Sequence, residues 1–387
     1  MDKPITNYFE PSSSAAWKQK IQFELDGADY NKTLLTETNE GITIKPFYHL
    51  DSFEKINIPK TNTDFKTCKS IIVSTEIKNN KEAVKAINNN IKTLKFTVNK
   101  PFNTHLLFKN LLNKNIEFYF EFNILQVDFI SNLAEVLKEE NFYFTFDIIG
   151  NLAERGNWHN SLTVDFKTLE NLANSNANFY INVNASVYHN AGANAVQEIA
   201  YALAHTNEYL TYYGEKIADK LQFNFSIGSN FFFEISKLRA FRYLFNLILA
   251  EYNTKATPII NSEASSIYNN NLESTYSSSI IGGSTIFSSN LEIENKDISE
   301  IEELKIVATN SNYIESITKQ FAEKALNIFK DIEKSGGFLK QLKEGTIQRK
   351  IKENANKEHL TTLTTNKTTG LKTLIIPLTP KSLKNEA

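Results

Sequence analysis

One cysteine, Cys68, stands in 387 residues. No disulfide can form within the chain, and a reducing compartment is the expected setting. Charge of one sign is also missing: the formal net charge is -2 and the pI about 6.4. Such a balance gives no electrostatic case for nucleic acid or an anionic membrane as a partner. The opening residues M-D-K-P-I-T-N-Y-F-E hold no apolar run of signal-peptide length. Nor does any stretch approach the ~18 apolar residues that span a bilayer. No Cys/His cluster has metal-ligand spacing, so no metal is expected. The expectation is a soluble cytoplasmic protein.

What is present is core and periodicity. Hydrophobic residues make up 41% and charged residues 22%, enough for one large domain or two ordinary ones. Ser12, Ser13 and Ser14 can cap a helix beginning near Ala15, on which Trp17, Ile21 and Leu25 recur at helical spacing until Gly27. A polar, extended stretch with the aromatics Phe47, Tyr48 and Phe53 follows. Residues 1–67 therefore read as an N-terminal arm and helix that wraps its own domain or a partner.

From residue 68 the pattern turns regular. Strands are predicted at Ser70–Thr75, Thr93–Val98, Ile116–Asn123, Phe142–Ile149, Phe179–Asn184, Leu221–Ile227, Pro258–Ser262 and Ser278–Gly282, with helical patterns between most of them. Eight strands alternating with helices indicate an α/β protein with a closed (β/α)8 TIM barrel. An open doubly wound sheet is the runner-up, but no G-x-G-x-x-G follows the first strand, so its dinucleotide-binding version has no support. A long amphipathic helix over Ile314–Glu333, with Ile317, Phe321, Ala325 and Phe329 on one face, heads a C-terminal helical extension. The barrel with its closing helices is assigned to residues 68–355. Residues 356–387 are assigned to a loosely attached tail with one apolar piece, Leu374–Leu378.

Ordinary parallel barrels have strands apolar on both faces. These strands alternate instead: Leu94, Phe96 and Val98 stand against Lys95, Thr97 and Asn99, and Phe118, Phe120 and Phe122 against Glu117, Tyr119 and Glu121. With helices on the apolar face, the polar set points into the bore. An antiparallel sheet with a solvated face is the bland alternative, and the intervening helices argue against it. The bore set is bulky: Lys95, Glu117, Tyr119, Glu121, Tyr143, Asp147, Tyr180 and Gln222. Buried charges must be paired, so a closed, bore-plugging network is expected, with Lys95 bonded to one or more of Glu117, Glu121 and Asp147.

Single candidates carry less. His189 lies just past the fifth strand, where barrel enzymes place catalytic groups, and a hydrogen-bonded structural histidine reads equally well. Gly282 and Gly283 read as a turn more readily than as a phosphate cradle. Asp147 reads as a bore ion pair before a general base. Glu234, Lys237 and Arg239 read as helix-surface ion pairs or a subunit contact, and Glu292–Glu303 as a solvated acidic loop.

Five segments, in order, resemble the barrel of the methylmalonyl-CoA mutase family. They are W-K-Q-K-I-Q-F-E-L-D-G with E-G-I-T-I-K-P-F-Y; S-V-Y-H-N-A-G-A-N-A-V-Q-E-I-A-Y-A-L-A; F-F-F-E-I-S-K-L-R-A-F-R-Y-L; I-I-G-G-S; and F-K-D-I-E-K-S-G-G-F-L-K-Q-L-K-E-G-T-I-Q. The second and third are the most specific. The resemblance implies a (β/α)8 barrel through which an acyl-CoA arm threads. It also implies a separate domain for adenosylcobalamin and a radical interconversion of succinyl-CoA and (R)-methylmalonyl-CoA.

The departures point to a particular member of that family. The Y-H-x-x-E-A-G-A segment of catalytic chains is two residues shorter at Tyr188–Ala193, which leaves His189 a vestige. No arginine stands in Tyr180–Asn184, and the D-x-H-x-x-G corrinoid motif is missing. The pattern resembles the small, non-catalytic subunit of the heterodimeric enzymes, in a form without its cobalamin domain. The resemblance then implies no catalytic or cofactor-binding residue in this chain. A larger catalytic partner would carry adenosylcobalamin and acyl-CoA.

Overall fold

A computed structural model describes residues 11–52, 55–59, 65–175, 178–267, 271–291 and 308–365. Eight parallel strands close into a barrel: β1 (Lys66–Ile72), β2 (Thr93–Val98), β3 (Glu117–Phe122), β4 (Asn141–Phe146), β5 (Phe179–Asn184), β6 (Leu221–Ile227), β7 (Ile259–Ala264) and β8 (Ile286–Ser289). Strand β8 pairs with both β7 and β1, which closes the ring. The fold is the (β/α)8 TIM barrel.

The outward set of the strands forms the main core. Phe96, Phe118, Phe120, Phe144, Phe223 and Phe225 are all buried beneath the helices. Each fully buried phenylalanine contributes about 1.5–3 kcal/mol, so a polar substitution at any of them would open the helix–sheet interface. The arm holds α1 (Ser14–Glu24), and the covering helices are α2 (Glu76–Asn88), α3 (Val127–Val136), α4 (Ile148–Arg155), α5 (Leu162–Ser175), α6 (Ala195–Tyr213), α7 (Phe231–Glu251) and α8 (Leu272–Gly282). The extension adds α9 (Asn312–Lys334), α10 (Phe338–Lys343) and α11 (Thr346–Thr365). Ile317, Phe321 and Ala325 of α9 are buried against the core. That helix ends before Gly336 and Gly337, both at positive φ, which turn the chain into α10.

Several strand boundaries differ from the sequence reading. Ser278–Gly282 is the last part of α8, not a strand, and the eighth strand lies at Ile286–Ser289. Serine-rich sequence is a poor helix signal, because hydroxyls compete for the backbone. Here Ser278 and Ser279 donate to the Thr275 carbonyl, at 3.0 and 2.8 Å, so the competition is absorbed inside the helix. Gly283 is the left-handed cap, and its N–H donates to Ser279 and Ile280, so it offers no phosphate cradle. Strand β1 begins at Lys66 rather than Ser70, and β4 stops at Phe146 because Asp147 caps α4.

The arm divides into two parts. Its short hairpin, Thr36–Glu37 with Thr43–Ile44, is fastened to α9: Gln320 accepts from the Thr43 N–H at 2.9 Å and donates to its carbonyl at 3.1 Å. Arg242 on α7 donates to the Pro59 carbonyl. By contrast α1 buries no residue, and Trp17 touches only Phe47 among the ring contacts of the described residues. Phe53 lies outside the described residues, as do Glu292–Glu303 and the apolar piece Leu374–Leu378. Helix α11 runs on to Thr365, past the point where the sequence reading begins the tail. No helix among the described residues is long and apolar enough to cross a membrane.

Candidate functional site

The inward set of the strands meets in the bore. In the register, Lys95 sits beside Tyr119, Tyr119 beside Tyr143, and Asn182 beside Gln222. Lys95 on β2 places its Nζ 2.9 Å from Glu121 on β3 and 3.7 Å from Glu263 on β7. Glu121 accepts two further hydrogen bonds, from Asn184 on β5 and Asn224 on β6, both at 3.3 Å. Asn224 in turn accepts from Asn261 at 3.1 Å, and Asn261 from Ser288 at 2.7 Å. Strands β3 and β6 stand three places apart in the ring of eight, as do β2 and β7. The Glu121–Asn224 and Lys95–Glu263 contacts therefore cross the bore rather than run along its wall.

Below this girdle the bore is lined by aromatic rings. Tyr119 stacks on Tyr143 at 4.9 Å, and Tyr143 leans on Tyr180 at 5.6 Å. Glu117 does not reach Lys95; it pairs with Lys66 at 2.8 Å. Burial pushes the phenols of Tyr119 and Tyr143 up, with the Glu117 charge adding to the effect. The Cys68 thiol in the same bore is pushed up to about 12 by burial, so it is no nucleophile at neutral pH. Burial alone would lower the Lys95 ammonium, but Glu121 and then Glu263 outweigh it, and Lys95 is held above its ordinary range.

The β5–β6 side is less complete. Gln222 and Asn182 are buried, yet their amide oxygens, and that of Asn184, find no hydrogen-bond partner within the protein. Buried amide oxygens left this way cost about 1–3 kcal/mol each unless water reaches them. This part of the bore can hold water or another small donor.

Asp147 stands apart from the girdle. Its carboxylate caps α4 by accepting from the Gly150 N–H at 2.7 Å. It also accepts from the Asn184 N–H at 2.8 Å and the Tyr209 hydroxyl at 2.9 Å. His205 Nε2 lies 3.0 Å from it, while Nδ1 of the same ring is 2.9 Å from the Tyr188 hydroxyl.

His189 sits on a one-turn helix, Ser186–Asn190, just past β5, and is buried. Its Nε2 lies 2.7 Å from the Ser265 hydroxyl, and its Nδ1 3.6 Å from Glu198. Glu198 on α6 and Lys237 on α7 form a fully buried pair at 2.9 Å, and Glu234 adds a second carboxylate at 2.6 Å. The Ser226 N–H donates to Glu198 at 3.2 Å. Burial would raise the Glu198 carboxyl, but Lys237 and His189 hold it below its ordinary value. These ion pairs are not on a helix surface: α7 is enclosed by α6, α8 and α9, and Arg239 on it is buried against Glu315. Among the described residues no group of three or more His, Cys, Asp or Glu could hold a metal ion.

Sequence reasoning missed Glu263, Asn224, Asn261 and Ser288. Glu263 and Asn261 obey the same alternation on β7; Glu263 lies beyond the predicted strand end at Ser262, and Asn261 lies within it but is a small polar residue that also marks turns. Ser288 was lost with the misplaced eighth strand.

A sequence model of the methylmalonyl-CoA mutase family matches residues 143–262 and 300–369. The methylmalonyl-CoA mutase small subunit of Porphyromonas gingivalis is 26% identical over 431 aligned positions, covering 91% of this chain and 68% of that protein. The large and small subunits of methylmalonyl-CoA mutase from Propionibacterium freudenreichii subsp. shermanii are each 27% identical. Those two matches cover 44% and 41% of this chain, and 28% and 31% of the relatives. The chain thus spans about two thirds of one relative and about a third of the other two.

Proposed function

We propose that this chain, which belongs to the methylmalonyl-CoA mutase family, is the small, non-catalytic subunit of a methylmalonyl-CoA mutase. It pairs with a larger catalytic subunit that carries out the adenosylcobalamin-dependent interconversion of succinyl-CoA and (R)-methylmalonyl-CoA. The observation that carries this reading is the double crossing of the bore, by Glu121–Asn224 and Lys95–Glu263. A pantetheine-sized chain cannot pass while those contacts stand. The near-complete match to a chain described as a small subunit supports the same role. The arm suits the partnership, because α1 buries none of its residues against the described part of this chain. A reducing, cytoplasmic setting suits the single, buried Cys68.

The residues described here do not fit the corrinoid. The two histidines buried against the barrel are each enclosed by protein groups: His189 hydrogen-bonds Ser265 and lies 3.6 Å from Glu198, and His205 hydrogen-bonds Tyr188 while its Nε2, without a hydrogen bond, is buried 3.0 Å from the Asp147 carboxylate. Both rings are buried, so neither is accessible to a corrinoid cobalt, and the cofactor is assigned to the partner.

A second reading, a mutase barrel active with a separate cobalamin-binding chain, draws on one observation: the unpartnered amide oxygens of Asn182, Asn184 and Gln222. Co-expression with a candidate large subunit separates the two. Mutase activity retained by a His189→Ala complex supports the non-catalytic role. Collapse of activity with the complex intact contradicts it.

A further inference from the structure

The bore holds a group of acceptors with nothing to accept from. Asn182 on β5 and Gln222 on β6 are register partners, so their side chains stand next to each other on the inward face. They are 1% and 3% exposed. Asn184 follows on the same face of β5, one pleat nearer the C-terminal mouth of the barrel. The amide oxygens of all three are buried and take no hydrogen bond from any described residue. The orientation of Asn184 is fixed by its neighbour. Its Nδ2 donates to Glu121 at 3.3 Å, and turning the amide over would set its oxygen against that carboxylate. Asn224, on the same face of β6, shows the contrast: its nitrogen donates to Glu121 and its oxygen accepts from Asn261. Charge points the same way. In the adjoining girdle Lys95 faces two carboxylates, Glu121 at 2.9 Å and Glu263 at 3.7 Å, which leaves one negative charge over. Lys66 and Glu117 cancel each other, and Asp147, just past the end of β4, adds to the negative sign.

We propose that Asn182, Asn184 and Gln222 bind a monovalent cation of potassium size, with water completing its shell. A single water has two hydrogens to give and would leave one of the three oxygens open, whereas a cation has no such limit. Divalent ions are held by carboxylates, and the nearest one, Glu121, is already engaged by Lys95, Asn184 and Asn224. Neutral amide oxygens suit a singly charged ion instead, as the carbonyl rings that replace the hydration shell of potassium do. The ligands are thus of a different kind from the acids, histidines and cysteines of a transition-metal site. Lys95 does not compete for the position, because it approaches Oε2 of Glu121 while Asn184 lies at Oε1. The ion balances the charge left over in the girdle and ties β5 to β6 inside the bore. It reinforces the closure of the barrel and takes no part in a reaction. The site rests on the bore alone and holds whether or not the chain serves a mutase.

The test is thermal unfolding of the full chain in potassium, rubidium, sodium or tetramethylammonium chloride at one ionic strength. An ion that binds only the folded state raises the midpoint with its concentration. The expected result is a saturable rise in potassium and rubidium, a smaller one in sodium and none in tetramethylammonium. Gln222→Met keeps the length of the side chain and removes its oxygen. It should weaken the potassium effect at least about tenfold, while the far-ultraviolet circular dichroism and the midpoint in tetramethylammonium chloride stay close to those of the parent. Crystals of the parent chain soaked in rubidium chloride give a reading that needs no variant: an anomalous peak among Asn182, Asn184 and Gln222. Equal midpoints in all four salts, or a potassium effect that Gln222→Met retains in full, overturn the proposal. A bore without an anomalous peak does so too, and leaves the three oxygens to water alone.

Discussion

Two buried carboxylates, Glu121 and Glu198, are each held by one lysine, and the contrast between them separates closure from packing. Glu198 is wholly enclosed, with Lys237 equally buried, and its neighbours come from helices α6 and α7 and the end of β6. Glu121 lies in the bore, 13% exposed at its side chain, and takes donors from three strands, one of them, β6, across the barrel. The Glu198 cluster ties the helix layer to the barrel and has no route to solvent. The Glu121 cluster is a girdle in a channel, partly wet, and its second acid, Glu263, sits toward the mouth at 32% exposure.

The comparison breaks first at Lys237. Lys237→Ala leaves Glu198 and Glu234 buried without their shared ammonium and should cost about 3–5 kcal/mol, read from urea unfolding. A loss under 1 kcal/mol would mean that the cluster is wetter than its burial implies. The same pair sets an acid limb. The folded Glu198 carboxyl lies below its unfolded value, so its contribution is complete above the unfolded pKa and is lost as pH falls through the folded one. Unfolding midpoints of the parent chain should therefore drop on acidification below about pH 4.5. Lys237→Ala should flatten that limb.

Lys95→Ala should be milder, about 1.5–3 kcal/mol, because Asn184 and Asn224 still donate to Glu121. Equal losses at Lys95 and Lys237 would erase the distinction. The smallest effect belongs to the end of the chain of bonds. Ser288→Ala removes one donor to Asn261 and should cost about 0.5–1.5 kcal/mol.

The same contrast explains what the sequence made legible. Period-two alternation puts Lys95, Glu117, Tyr119 and Glu121 on one face, and helices between the strands make that face the bore, so half the girdle can be read from spacing alone. Its other half comes from β6, β7 and β8, where the cues are Asn and Ser, residues that also mark turns. Asp147 follows the alternation of β4, yet D-I-I-G continues into a helix pattern and the side chain caps it. The Glu198–Lys237 pair had no signal of its own: a charged residue on a helix reads as solvated until a third layer covers it. Helices α8 and α9 are that layer, and only the packed fold brings them over α7.

The central claim is that the girdle closes this barrel to an acyl-CoA. Calorimetric titration of succinyl-CoA into the purified full chain tests it directly. The account predicts no saturable heat at millimolar ligand, for the parent and for His189→Ala alike. One-to-one binding at micromolar concentration, abolished by bulky substitution at Asn182 or Gln222, would contradict it.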